Sequence, residues 1–439
     1  KTDDVKTSIQ SEMDMLADLK KELTEFEKRL IEKDSLDWRD RKRLEDILQK
    51  QKAIETQITE LQKETKNNFD KLNSLTNPSE EVIKKQQQLE KLFNDILPQE
   101  MKDLYEELNE LKDQLNKDDL QQKIKDLQLS NEDVEKELDR NLEILKQVEF
   151  EQQLEDIISQ LQNLSKQQLD LSLDSLETDK KLSLQQQHFE EFQNIQNEIQ
   201  NLKSLNQKLE NKQEILDTKN QENQINEDLE EGTNQLEKNN KKRASKTQKK
   251  AAQNLLELAG LFSNMKKEND KSQNYEDMDV LRQILENLVY FSLEEENILL
   301  SFQEINKNDP QYINLMHDQQ DLRDASSIIE DSLFALSKRV PQISSKVNRE
   351  INAIEQKTAS AIDHLRERQT LKAVQDQQFV MTSANNLAVI LAGILESMQE
   401  EMASDMPSTQ QCEKPGKGSP KPGDLKKMQE ELNQQLAFL

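Results

Sequence analysis

Outside one short stretch, this chain holds almost nothing that interrupts a helix. Its 439 residues contain six glycines and eight prolines, and three of those glycines and four of those prolines fall between Pro407 and Gly423. Glycine in a helix interior costs roughly 1 kcal/mol relative to alanine and proline about 3, so their near absence elsewhere leaves long helices uninterrupted. Leucine, isoleucine and phenylalanine recur at spacings of three and four, the repeat that lines one helix face. The pattern predicts an all-α fold, with elongated coiled-coil or helical hairpins followed by a multi-helix bundle. Apolar residues make up 33% of the chain. Ordinary domains reach roughly 45–50%, so narrow apolar seams are expected here rather than thick cores. A net charge of -27 with low hydropathy is also the signature of disorder. A sustained apolar stripe decides for helices, because an unstructured acidic chain has no reason to keep one.

Leu16, Leu19, Leu23, Phe26 and Leu30 form a first seam, and Leu44, Ile47, Ile54, Ile58 and Leu61 a second. Two antiparallel helices joined near residue 36 follow, with Trp38 packed across the turn as an anchor. Asn77-Pro78 predicts a cap and a first helical position, and Pro98 a division between helices. Ser130 to Asp133 resembles a capping box, opening a helix of about 45 residues that would measure roughly 65 Å. Ile195, Leu202, Leu209 and Leu216 then keep one heptad position, with Phe192, Ile199, Asn206 and Gln213 in its partner position. Asn206 is either a buried register-setting amide or a polar residue where the seam loosens. Residues 220–240 predict a linker or frayed region around Gly232.

Between Lys238 and Lys250 lie seven cations and no acid, Lys241, Lys242 and Arg243 among them. On so acidic a chain this island suits anionic lipid or an acidic partner, and equally a solvated face or a counterweight to the chain's own acids. Nucleic acid is not an expected partner, since phosphate binding depends on lysine and arginine in excess. From Ala251 the apolar faces widen, Asp309-Pro310 marks a further helix start, and Met398, Met402 and Met406 recur every four residues, as core or as an adaptable groove. The longest uncharged run, Gln377 to Leu395, contains Thr382, Ser383, Asn385 and Asn386, which predicts a buried helix rather than a membrane span. Four regions are expected: coiled coil over 1–240, bundle over 241–406, linker over 407–423 and the start of an amphipathic helix over 424–439.

No constellation points to catalysis. His188, His317 and His364 stand apart from one another in sequence, no glycine-rich phosphate loop occurs, and Cys412 is alone, so no catalytic residue, cofactor or metal ligand is assigned. His317-Asp318 predicts a surface pair and Glu294-Glu295-Glu296 a wet helix face. The interaction candidates are Leu202, Asn206 and Leu209 in the seam, Lys241, Lys242 and Arg243 in the island, and Met398 and Met402 in the stripe.

Leu127 to Asp133 with Leu138-Asp139-Arg140 and Leu142 to Lys146, Lys246 to Ala252, Met278 to Val289 and Lys414 to Gly418 together carry a resemblance. The chain resembles the helical region of a large Bacteroidota family with a domain of unassigned function, anchored in the inner membrane and rich in glutamine. The resemblance implies a periplasmic location, tethering through segments outside this sequence, and no catalytic residues; the Lys1 start agrees with a piece of a longer polypeptide. The expected function is a scaffold or spacer in a cell-envelope assembly, bound to protein partners or to itself; the alternative is a chaperone-like helical clamp.

Overall fold

The computed structural model describes residues 2–404 apart from 34–36, 76–77, 98, 115–116, 175 and 344. Asn77, Pro98, Met406, Cys412 and the expected linker and final helix lie outside the described residues. Among these, eleven α-helices occur and no strand: α1 Thr2–Glu32, α2 Trp38–Leu75, α3 Glu80–Asp95, α4 Gln99–Gln114, α5 Lys117–Leu173, α6 Thr178–Lys208, α7 Lys219–Glu237, α8 Lys241–Glu304, α9 Gln311–Ser337, α10 Ser345–Arg366 and α11 Thr370–Ser404.

These helices build two units that interleave along the chain. One comprises residues 1–8, 60–90 and 142–273, and the other 9–59, 91–141 and 274–439. The contiguous division expected at residue 240 is therefore replaced: residues 241–273 pack with the segment before them. Helices without breakers carry the chain from one unit to the other, so α1, α2, α3, α5 and α8 each give residues to both.

In the first unit, α5, α6, α7 and α8 share a core of Leu154, Ile157, Leu161, Phe192, Ile199, Leu202, Ile225, Leu229, Leu255, Leu258 and Phe262. Residues 220–240 are not frayed. They form α7, whose Ile225, Leu229 and Leu236 are buried. The α7 helix ends in a Schellman turn, with Asn240 N–H donating to Gln235 O and Asn239 N–H to Leu236 O, both at 2.8 Å. Asn239 sits at φ +56, a left-handed conformation that asparagine tolerates better than most residues. Ser79 Oγ accepts the Val82 N–H at 3.3 Å, which caps the start of α3.

In the second unit, a capping box starts α2: Asp37 Oδ1 accepts the N–H groups of Arg39 and Asp40 at 2.7 and 3.0 Å, and Asp40 Oδ2 accepts the Asp37 N–H at 3.0 Å. Those bonds, the Asp40 one first, hold the Asp37 carboxyl down at about 2. Ion pairs from Arg43 to Glu25 and Lys50 to Glu22 close the expected antiparallel pair of α1 and α2. Trp38 does not anchor this turn. The face that carries Asp40, Leu44 and Ile47 inward turns Trp38 outward, where it is 72% exposed with Lys42 Nζ 5.6 Å from its ring centre. Ser130 to Asp133 is no helix start either; it lies inside α5, which runs unbroken for 57 residues.

A core of this unit belongs to α8, α9, α10 and α11, with Leu281, Leu288, Phe291, Leu333, Ile343, Ala384, Leu387, Leu391 and Leu395 buried. Asp309 Oδ1 accepts the Gln311 N–H at 2.9 Å, the helix start expected at Asp309-Pro310. By length and composition α11 is apolar enough to cross a membrane, and half of its most apolar window is buried.

Candidate functional site

The polar side chains that these helices turn inward, and the charges they leave outside, are the candidates for function. At the end of α6 the helix stops at Lys208 and the chain continues extended from Leu209 to Asp217, so the heptad seam does not continue. Asn206 explains why: its Oδ1 accepts the Gln213 N–H and its Nδ2 donates to Gln213 O, both at 2.8 Å. An amide that bonds both main-chain groups of Gln213 in this way clamps the non-helical segment after α6, so Asn206 stands where the seam ends rather than setting a register within it. Leu202 is fully buried in the core and Leu209 4% exposed under the strap, while Leu216 is 39% exposed. Gln213 Nε2 reaches Gln273 Oε1 at 2.7 Å, and Glu214 O accepts from Asn269 at 2.9 Å, so the strap is fastened to α8 as well.

One glutamine layer crosses the same bundle. Gln168 Nε2 donates to Gln185 Oε1 at 2.8 Å, Gln248 Nε2 donates to that same oxygen at 2.9 Å, and Gln185 Nε2 donates to Leu229 O at 3.2 Å. His188 Nδ1 lies 2.6 Å from Gln168 Oε1, and burial pushes the imidazole pKa down. Gly232 makes room: a Cβ there would meet Gln185 Nε2 at 3.2 Å.

Lys241, Lys242 and Arg243 open α8 on the solvent side, with Lys246 and Lys249 beyond them. Lys250 pairs with Asp228 at 2.9 Å. No ion pair reaches the other five among the described residues. Sequence reasoning located this island; its position at one end of the four-helix core comes from the turn at Asn239.

The second unit holds a polar staple that the sequence did not announce. Arg140, 2% exposed, pairs with Glu137 and donates from Nη1 to Ile343 O at 3.0 Å. Glu137 accepts from Asn348 at 2.6 Å, Asp133 from Asn352 at 2.7 Å, and Asp139 pairs with Lys338 at 2.7 Å. Burial draws the Arg140 guanidinium down to about 10, which leaves it charged at neutral pH. In the same unit Asp376 gathers Ser360 Oγ, His364 Nδ1 and Lys357 Nζ at 2.6, 2.8 and 3.2 Å. Burial pushes its carboxyl up, and these three partners outweigh it and hold it below the ordinary value. Ser360 bonds the carboxylate instead of the imidazole, so no serine is activated by a base here. His317 and Asp318 are exposed, as expected of a surface pair.

Glu295 overturns the expectation of a wet glutamate face. It is 0% exposed, and Gln319 Nε2 donates to its Oε2 at 2.8 Å while Gln377 Nε2 donates to Gln319 Oε1 at 2.6 Å. Burial pushes its carboxyl up to about 7. The signal available beforehand was spacing: Leu288, Phe291, Glu295 and Ile298 follow three-and-four steps along one apolar face. Met398 is buried in the bundle core and Met402 packs against it, which places these two methionines in the core rather than in a groove. Among the described residues no group of three or more His, Cys, Asp or Glu side chains converges.

No family model, no curated protein and no solved structure matches this chain.

Proposed function

We propose that the chain is a structural protein, a scaffold or spacer of a cell-envelope assembly. By the resemblance stated above it works in the periplasm, tethered to the inner membrane through segments outside this sequence, and binds protein partners. The observation that carries this reading is the pair of unbroken helices α5 and α8, of 57 and 64 residues. At 1.5 Å per residue they measure about 85 and 95 Å, lengths that suit holding two things apart. The alternative clamp would use an open groove such as the one of about 560 Å³ in the first unit, lined by Asn220, Gln221, Gln224, Asn254, Glu257 and Asn264 with Gly260 and Leu261. The test is crosslinking and affinity purification of the intact protein from its own envelope. A stoichiometric complex is the expected outcome; a varied crowd of unfolded proteins would favour the clamp, and recovery of no protein at all would refute both.

A further inference from the structure

One end of the first unit carries both signs of charge on separate corners. Ser245 Oγ donates to Ser172 O at 2.7 Å, Lys181 Nζ to Leu171 O at 3.0 Å, and Thr178 Oγ1 lies 3.1 Å from Asn239 Oδ1. These bonds bring the end of α5, the start of α6 and the α7–α8 turn together. The α7–α8 corner presents Lys238, Lys241, Lys242 and Arg243, all exposed, against one exposed acid, Glu237; the α5–α6 corner presents Glu177 and Asp179, also exposed, against one exposed cation, Lys180. None of Lys238, Lys241, Lys242, Arg243, Glu177 and Asp179 takes part in an ion pair among the described residues. Leu173, at the end of α5, is 64% exposed beside them. The Schellman turn at Asn239 fixes the cationic corner in place, so both corners are held by the fold.

We propose that this end binds the same end of a second copy of the chain across a two-fold axis, cationic corner against acidic corner, with Leu173 covered between them. Two-fold pairing requires a self-complementary patch, and adjoining corners of opposite net charge meet their complements when the axis runs between them. A bilayer of anionic lipid, or nucleic acid, would meet Glu177 and Asp179 along with the cations and be repelled by them. Four helix ends, each about 10 Å wide, offer roughly 400 Å² a side. At roughly 800 Å² in total that lies below the usual range of stable interfaces, so the pairing is weak and reversible. At physiological salt the Debye length is about 8 Å, which screens the charge of the rest of the chain while leaving corners in contact attractive. This deepens the scaffold reading by naming one partner, yet it can fail alone: a chain that recruits envelope proteins and never pairs with itself would keep that reading and end this one.

The test is sedimentation velocity of the full chain against concentration, at 0.15 and 1 M salt. A dimer whose dissociation constant rises at least tenfold at the higher salt is expected. A triple variant, Lys241→Glu with Lys242→Glu and Arg243→Glu, and a double variant, Glu177→Lys with Asp179→Lys, should each lose the dimer while keeping the wild-type circular dichroism. Mixing the two should restore a one-to-one complex, which loss of fold in either could not produce. A wild-type monomer at every concentration, dimers in both variants, or no complex on mixing would overturn the proposal. So would binding of the monomer to vesicles of phosphatidylglycerol that the triple variant loses and the double variant keeps.

Discussion

Glu295 lies wholly out of water, with Gln319 donating to one of its oxygens and no partner on the other among the described residues. Gln377 Oε1, in the same polar layer, is a buried acceptor that also lacks a partner. Burial disfavours the charged carboxylate by more than the glutamine amides favour it, which sets a folded value near 7 against 4.5 for an ordinary glutamate. Because the folded value is raised, the folded chain holds the proton more tightly than the unfolded one. The stabilisation is complete below about pH 4.5 and is lost as pH rises through 7. A shift of this size corresponds to about 3 kcal/mol. Replacing Glu295 by Gln removes the titration, so urea unfolding of wild type and variant between pH 4.5 and 8 should diverge by up to that amount, with wild type weakening at high pH. Curves that stay parallel would dismiss a buried proton. Burial likewise pushes Glu12 up to about 7, which both proteins share and the comparison cancels. Asn206 gives a second test at this scale. In a coiled-coil seam, Asn→Leu raises stability by removing a buried polar group. As a clamp on Gln213 the same change leaves a peptide group unpaired, costing about 1–3 kcal/mol. Faster hydrogen exchange at the Gln213 amide, together with a lower unfolding midpoint, is the expected result.

Among the elements, α7 shows how a helix can depend on the residue it omits. Gly232 sits in its interior, where alanine would ordinarily gain about 1 kcal/mol. Its Cβ would press on Gln185, which joins Gln168, Gln248 and Leu229 O into one layer. Gly232→Ala is expected to lower stability or leave it unchanged, whereas Gly260→Ala and Gly393→Ala, where the added methyl meets nothing within 4 Å, should each raise it by about 0.5–1 kcal/mol. Thermal unfolding of the three variants separates them; equal gains at all three would mean that Gln185 moves aside freely. The α5 segment from Asp133 to Arg140 is comparably specific. Asp133, Glu137, Asp139 and Arg140 all reach α10 or the turn between α9 and α10, so the segment is a docking strip written into a continuous helix. A capping box and a mid-helix run of acids share the same letters, and which one is present depends on whether a partner helix lies opposite.

Across the whole molecule, each unit draws on three separate parts of the chain. A fragment ending at residue 240 would lack Leu255, Leu258, Phe262 and Met265 from the first core, and all of the α9–α11 core of the second. We expect such a fragment to lose helicity per residue by circular dichroism and to unfold without a cooperative transition, whereas an autonomous N-terminal rod would keep both. Buried leucines in each core lead to the same expectation, since truncating one such as Leu202 to alanine costs about 2–5 kcal/mol.

Local pattern alone determined that this chain is helical, where its seams run and where its cations cluster. Three-and-four spacing and the scarcity of glycine and proline act within a single turn of chain and need no partner to be read. The pairing of α1 with α2, the start near Pro310 and the buried Leu202 and Met398 follow from that pattern. The end of α6 at Lys208, the inward Glu295, the outward Trp38 and the interleaving of the units were decided by packing. In each case the outcome depends on what lies across the gap: a peptide group for Asn206, two glutamines for Glu295, water for Trp38. A helical repeat states that a face will be covered, and only the tertiary structure supplies what covers it.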